Sequence, residues 1–237
     1  MSVYVYAITK ESHPLRLDGL EGVGKVPAEP RVVRAGSVCA VVSETPEELS
    51  VSRDDLQGHF GVVEGLWTEG PVLPLGFGFL APDEDSVSAL LEQRAEEFSQ
   101  RIDELTGRAE YNLKGIQDED AVLAAVLRDN PRARELNERT RAGEGVYEDR
   151  LALGELVAQE VQNRQEALAG EVLSALRPLA AAEKVAPPSQ QYFVNASFLI
   201  DDERSEEFTE ACRELAERYG EGVELRLRGP LPPYSFV

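Results

Sequence analysis

Any acid, base or nucleophilic chemistry in this chain would have to come from two histidines, two cysteines and a large supply of carboxylates. His13 lies in a proline-containing loop, and His59 lies beside the apolar stripe of a helical pattern, so the histidines assemble no metal-ligand set. A helix-flank or hydrogen-bonding role is the expectation for His59. Cys39 falls in a strand-like run and Cys212 on the apolar stripe of a helix, neither with the spacing of a redox or zinc motif, so both are expected to pack in cores. The acidic clusters Glu47-Glu48, Glu96-Glu97, Asp118-Glu119-Asp120 and Glu206-Glu207 stand at helix starts or on solvated helix faces. A carboxylate pair working as acid and base across a cleft stays open as an alternative, because sequence spacing says little about spatial pairs. There is no nucleophile-elbow, phosphate-loop or HExxH pattern, and the fragment Gly22-Val23-Gly24 lacks the third glycine and the helix of a dinucleotide fingerprint. The expectation is a protein that is not an enzyme, with no cofactor and no metal.

Composition narrows the class. The chain has 237 residues, 42% of them hydrophobic, enough for one large or two ordinary cores. Its formal charge of −20 argues against nucleic acid and against anionic membrane surfaces, since both bind through lysine and arginine. No apolar run reaches the roughly 18 residues of a membrane-spanning helix, and the amino terminus lacks the pattern of a signal peptide. A cytoplasmic location fits these features.

The elements that would position any site follow from periodicity. Val3–Ile8 alternates as a strand, residues 11–30 are broken by proline and glycine around Leu15, Leu17 and Leu20, and residues 31–43 read as a hairpin turning at Ala35-Gly36-Ser37. Ser52 caps a helix with a Leu56, Phe60, Val63, Trp67 face. The uncharged stretch from Val72 to Leu80 then reads as one buried strand, with Leu73, Leu75, Phe77 and Phe79 on one face and Gly76 and Gly78 leaving room on the other. A single helix is expected from Pro82-Asp83 to Gly107, with Val87, Leu91, Phe98, Ile102 and Leu105 on its face.

Residues 110–116 read as another strand, followed by a short helix through Val122, Leu123, Val126 and Leu127 that Asp118-Glu119-Asp120 leads and Asp129-Asn130-Pro131 breaks, and by a highly charged helical piece over 132–141 ended by Gly143 and Gly145. A long helix then runs from Val146 to about Arg177, which either packs against the segment at Arg132 or offers its far end to a partner. Pro187-Pro188 leads into a strand over 192–200. Asp201-Asp202 caps a helix with a Phe208, Cys212, Leu215, Tyr219 face, and Gly220-Glu221-Gly222 turns into the alternating strand at Val223, Leu225 and Leu227. The expected class is α+β with two domains, 1–107 and 108–237. The second is ferredoxin-like, with a long helical insertion over about 118–182. The closing Gly229–Val237 either tucks Tyr234 and Phe236 onto the core or forms a proline-rich recognition rim.

These residues resemble the gas vesicle proteins of the GvpL/GvpF type along the whole chain. The resemblance is carried by Tyr4-Val5-Tyr6-Ala7-Ile8, by His59 and Glu64, by Pro71-Val72-Leu73-Pro74-Leu75 with Phe77-Gly78, and by Glu110-Tyr111 through Lys114-Gly115. Phe193–Leu199 and Gly229-Pro230 with Pro232-Pro233-Tyr234-Ser235-Phe236 complete it. Two positions depart from the family pattern: Gly76, where relatives often carry arginine, and Leu231, where they often carry tryptophan. The resemblance implies a minor component of gas vesicle formation, located in the cytoplasm with the vesicles. It would bind the small hydrophobic shell protein and other accessory proteins. Candidate partner-binding residues are Pro74, Phe77, Gly78, Tyr111, Asn195, Gly229, Pro230, Pro232, Pro233, Tyr234 and Phe236. The alternative is a ferredoxin-like small-molecule binding or regulatory protein with no vesicle role.

Overall fold

The computed structural model describes residues 2–143, 146–187, 189, 191–220 and 222–237. Gly145, Pro188 and Glu221, expected as helix stop, strand entry and turn, lie outside the described residues. The architecture is α+β: two sheets, antiparallel at every described pairing, with seven α-helices among the described residues. The chain divides into two compact units, one of residues 1–110 with 229–237 and one of residues 111–228. The segment after Gly229 therefore groups with the first unit, not with the second as its place in the sequence suggests.

The first unit is built on β1 (Val3–Lys10), which is buried over almost its whole length because it lies inside its sheet. β2 (Arg31–Ala35) and β3 (Val38–Glu44) form the expected hairpin, turning at Gly36 with φ +63, and β3 pairs with β1. α1 (Arg53–Glu69) is capped as expected by the Ser52 hydroxyl, which accepts from the Asp55 N–H. Its buried face is rotated from the expected one. Asp55, His59, Val62, Val63 and Leu66 point inward, while Phe60 is exposed. The reason is that His59 and Asp55 are hydrogen-bonded inside, so apolar spacing alone misplaces the stripe.

The uncharged stretch is not one buried strand. It forms two short strands, β4 (Leu73–Pro74) and β5 (Leu80–Ala81), both paired antiparallel with β1. Ala7 faces Pro74 and Tyr4 faces Leu80, so three steps along β1 meet six along its partner. The three extra residues, Gly76-Phe77-Gly78, bulge outward, with Gly78 at φ +87 and the Phe79 N–H bonded to the Gly76 carbonyl. Phe79 and Leu80 are left exposed. The single helix expected over 82–107 is likewise two, α2 (Glu84–Gln93) and α3 (Ala95–Leu105), bent at Arg94. α2 lies over β2 and β3 and α3 over β1 and β4, so the bend lets Val87, Leu91, Ile102 and Leu105 all reach a twisted sheet.

The second unit carries a four-stranded sheet in the order β7 (Ala182–Val185), β8 (Val194–Asp201), β6 (Arg108–Gln117), β9 (Val223–Leu231). β6 (Arg108–Gln117) leads into α4 (Glu119–Asp129), capped by Asp118, and α5 (Pro131–Arg141), capped by Asn130. α6 (Tyr147–Leu176) is 30 residues long and packs as a hairpin on those two. Leu153, Leu156, Val157 and Val161 cover Val122, Val126 and Ala133, and the Asn130 amide donates to Glu160 at 2.9 Å. β7 (Ala182–Val185), β8 (Val194–Asp201), α7 (Ser205–Tyr219) and β9 (Val223–Leu231) complete the unit. Asp201-Asp202 does not cap α7. A short 3-10 turn at Asp202–Arg204 intervenes, and the helix starts at Ser205 without a side-chain cap. Phe208 on α7 meets the rings of Tyr111 and Phe198 at 5.4 and 5.3 Å.

Candidate functional site

The polar chemistry of the first unit gathers around two tyrosines that β1 points to the same side, two residues apart. The Tyr6 hydroxyl accepts from the Val23 N–H at 3.0 Å and meets the Ser43 hydroxyl at 2.8 Å, which fixes the loop before β2. The Tyr4 hydroxyl accepts from the Gly78 N–H at 3.0 Å and lies 2.8 Å from His59 Nδ1. Because Gly78 takes one Tyr4 lone pair, the network is satisfied when the Tyr4 O–H donates to Nδ1 and His59 carries its proton on Nε2. The Tyr234 hydroxyl stands 3.5 Å from that nitrogen, and the rings of Phe60 and Phe77 surround the imidazole edge-on at 5.2 and 5.7 Å.

Burial decides the protonation of this cluster. His59 is fully buried, and loss of water pushes its imidazole down to about 4, against a smaller upward effect of the Leu75 backbone. The same cause pushes the Tyr4 phenol up to about 12 and raises Tyr234. The cluster thus holds a neutral imidazole and intact phenols over the ordinary pH range. Asp55 is the opposite case. Its carboxylate accepts from the Ser52 and Ser50 hydroxyls and the Gly24 N–H, at 2.8, 3.1 and 2.9 Å, and these bonds, led by Ser52, hold it below the usual carboxylate range. Its role is to pin two loops to the start of α1.

The closing segment is fastened by the buried Glu110, whose two oxygens accept from the Ser235 N–H at 2.7 Å and its hydroxyl at 2.6 Å. Phe236 is buried, Tyr234 packs on the core of Tyr4, Tyr6, Val63 and Leu66, and the Gly229-Pro230 peptide is cis. The segment is tucked at Tyr234 and Phe236, while Gly229 and Pro230 stay exposed.

Of the candidate residues, Pro74, Tyr111, Pro232, Pro233 and Phe236 are buried, Phe77 and Tyr234 are half-buried, and Gly78, Gly229 and Pro230 are exposed. The structure gathers Phe77, Gly78 and Tyr234 around His59. Tyr111 packs tilted against Phe208 in the second unit, and Asn195 accepts from the Asn112 amide at 3.2 Å there. The exposed Phe60, Phe79 and Leu80, at 45, 44 and 47%, were not among the candidates. Nor were Asp55, an acid of the first turn of α1, and Glu110, a residue of the Glu110-Tyr111 motif. No group of three histidine, cysteine or acidic side chains able to hold a metal occurs among the described residues, and no described helix is long and apolar enough to cross a membrane.

Fold and site together define an α+β protein whose interior polar groups hold two loops and residues 234–236 in place, with Phe60, Phe79 and Leu80 exposed. The chain belongs to the gas vesicle synthesis protein GvpL/GvpF family, whose model matches residues 2–237. It is 41% identical over 238 residues to gas vesicle protein F of Streptomyces sp. (strain CB03234), covering 100% of both chains. It is 28% identical over 255 residues to gas vesicle protein L of the same strain, covering 99% of this chain and 92% of the relative. The crystal structure of the gas vesicle protein GvpF from Anabaena sp. PCC7120 shares the fold, with a TM-score of 0.81 at 23% identity over 99% of this chain and 97% of that one.

Proposed function

We propose that the chain is an F-type accessory protein of gas vesicle formation that works by binding and not by catalysis, its partners being the small hydrophobic shell protein and other accessory proteins. The observation that carries this reading is the exposure of Phe60, Phe79 and Leu80 on a body with a net charge of −20. Exposed apolar side chains on a self-repelling carrier suit a partner that aggregates when left alone. The higher identity to protein F than to protein L of one organism supports the F-type assignment. The sheet order β7-β8-β6-β9, with α4–α6 as an insertion, supports a ferredoxin-like second unit. Free, buried Cys39 and Cys212 agree with a cytoplasmic location beside the vesicles.

The test is co-purification of the full chain with the shell protein made in the same cell, against a Phe60→Ser, Phe79→Ser double variant. Because Phe60 also touches the rings of His59 and Tyr234, the fold of the variant is checked first by circular dichroism. Retention of the shell protein by the unchanged chain and its loss from the variant is the expected result. Equal retention by both moves the contact elsewhere, and no retention by either removes the binding role.

A further inference from the structure

β9 is the last strand of its sheet and nine residues long, whereas the opposite edge strand, β7, has four and is soon followed by Pro187. Gly222, just before β9, gives its carbonyl to the Asp118 N–H at 2.8 Å, and Asp118 directly follows β6. A trans peptide points its N–H opposite its C=O, so the Val223 N–H faces away from β6. By strand alternation the backbone groups of Val223, Leu225 and Leu227 line the open edge. Their side chains are only half-buried, although the inward residues Tyr111, Leu113 and Phe198 of the neighbouring strands are fully buried. Glu224, Arg226 and Arg228 are exposed on the other face. Between Val223 and Leu227 the described strand carries no inward-facing charge, and its first proline is Pro230.

We propose that a second copy of this chain pairs antiparallel along β9, with residue 225 of each copy facing residue 225 of the other. The charge pattern chooses both occupant and register. Pairing about residue 225 sets Glu224 opposite Arg226 twice and Val223 opposite Leu227 twice. Pairing about 224 opposes two glutamates, about 226 two arginines, and about 227 sets Arg226 against Arg228 twice. Like charges directly opposite one another destabilise a ladder, and of these four registers only that at 225 is free of them. Its hydrogen bonds also fall on the outward-facing residues 223, 225 and 227. Within one copy Glu224 and Arg226 already pair at 2.7 Å while both stay exposed, so association closes a ring of four alternating charges.

Analytical ultracentrifugation of the full chain tests this, with a mass rising from 26.1 kDa to twice that with concentration as the expected result. Glu224→Arg alone or Arg226→Glu alone turns two attractive pairs into repulsive ones and should weaken association about tenfold or more. An equimolar mixture of the two variants should recover it as a mixed dimer, and so should the chain carrying both changes. A second measurement is independent of the reversals: when Glu224→Cys and Arg226→Cys chains are mixed and oxidised, the mixed disulfide should form in preference to either self-disulfide. Cys39 and Cys212 are buried and do not compete. A chain that stays at monomer mass at every concentration overturns the proposal. So do single reversals that associate as well as the unchanged chain, mixtures that recover nothing, or crosslinks without preference.

Discussion

Replacing His59 by phenylalanine should change the pH dependence of stability. The imidazole is fully buried, and its pKa falls from the ordinary 6.5 to about 4 on folding. Between those values the unfolded chain binds a proton that the folded chain refuses, so stability is complete above the upper value and is lost as pH falls. The loss is about 2 kcal/mol by about pH 5 and about 3 kcal/mol by about pH 4. His59→Phe removes this loss but leaves the Tyr4 hydroxyl without its acceptor, a cost of about 1–3 kcal/mol that does not depend on pH in this range. The variant should therefore be the less stable protein near neutrality and match or exceed the unchanged chain near pH 4. Urea unfolding followed by the fluorescence of Trp67, the single tryptophan, reads this unit directly because Trp67 packs on its core. Other carboxylates titrate in both proteins and cancel in the difference. If the gap between the two curves is constant from neutrality to pH 4, the buried neutral imidazole is wrong.

Glu110→Ala should destabilise the first unit by about 2–3 kcal/mol by removing the charged acceptor of two hydrogen bonds, with faster amide exchange at Ser235 as its local signature. Gly78→Ala should cost about 1 kcal/mol in thermal melts, because the site has φ +87 although nothing crowds an added methyl, whereas Gly76→Ala, equally open and without a positive φ, should be close to neutral. Gly115→Ala should be far more damaging, since the new Cβ would stand 2.4 Å from the Phe193 ring; loss of soluble protein or a large drop in melting temperature is the expected readout.

The order of elements was largely legible, because period-two and period-3.6 patterns at β1, β3, α7 and β9 reflect faces that packing does not override. What failed had specific causes. The stretch 72–80 is apolar enough for a buried strand, but a bulge depends on where the Tyr4 hydroxyl captures a backbone N–H, and no local pattern encodes that contact. The bend at Arg94 follows the twist of a sheet made of distant segments. The face of α1 was misjudged because hydropathy counts histidine and aspartate as outward, whereas His59 and Asp55 are satisfied by partners far along the chain. The family itself was legible from short motifs, yet several motif residues, among them Tyr111 and Phe236, are packing residues, whereas Phe79 and Leu80, within an apolar run, are exposed.

The grouping of residues 229–237 with residues 1–110 has a consequence for synthesis. Ribosomes deliver the chain in order, so β1 to α3 emerge long before Ser235 and Phe236 exist to occupy Glu110 and the core beside it. Through that interval Glu110 must keep water as its partner, and the surface that Tyr234 later covers stays open. The first unit to be made is therefore the last to be finished, and in a nascent chain its aromatic surface is larger than in the mature protein.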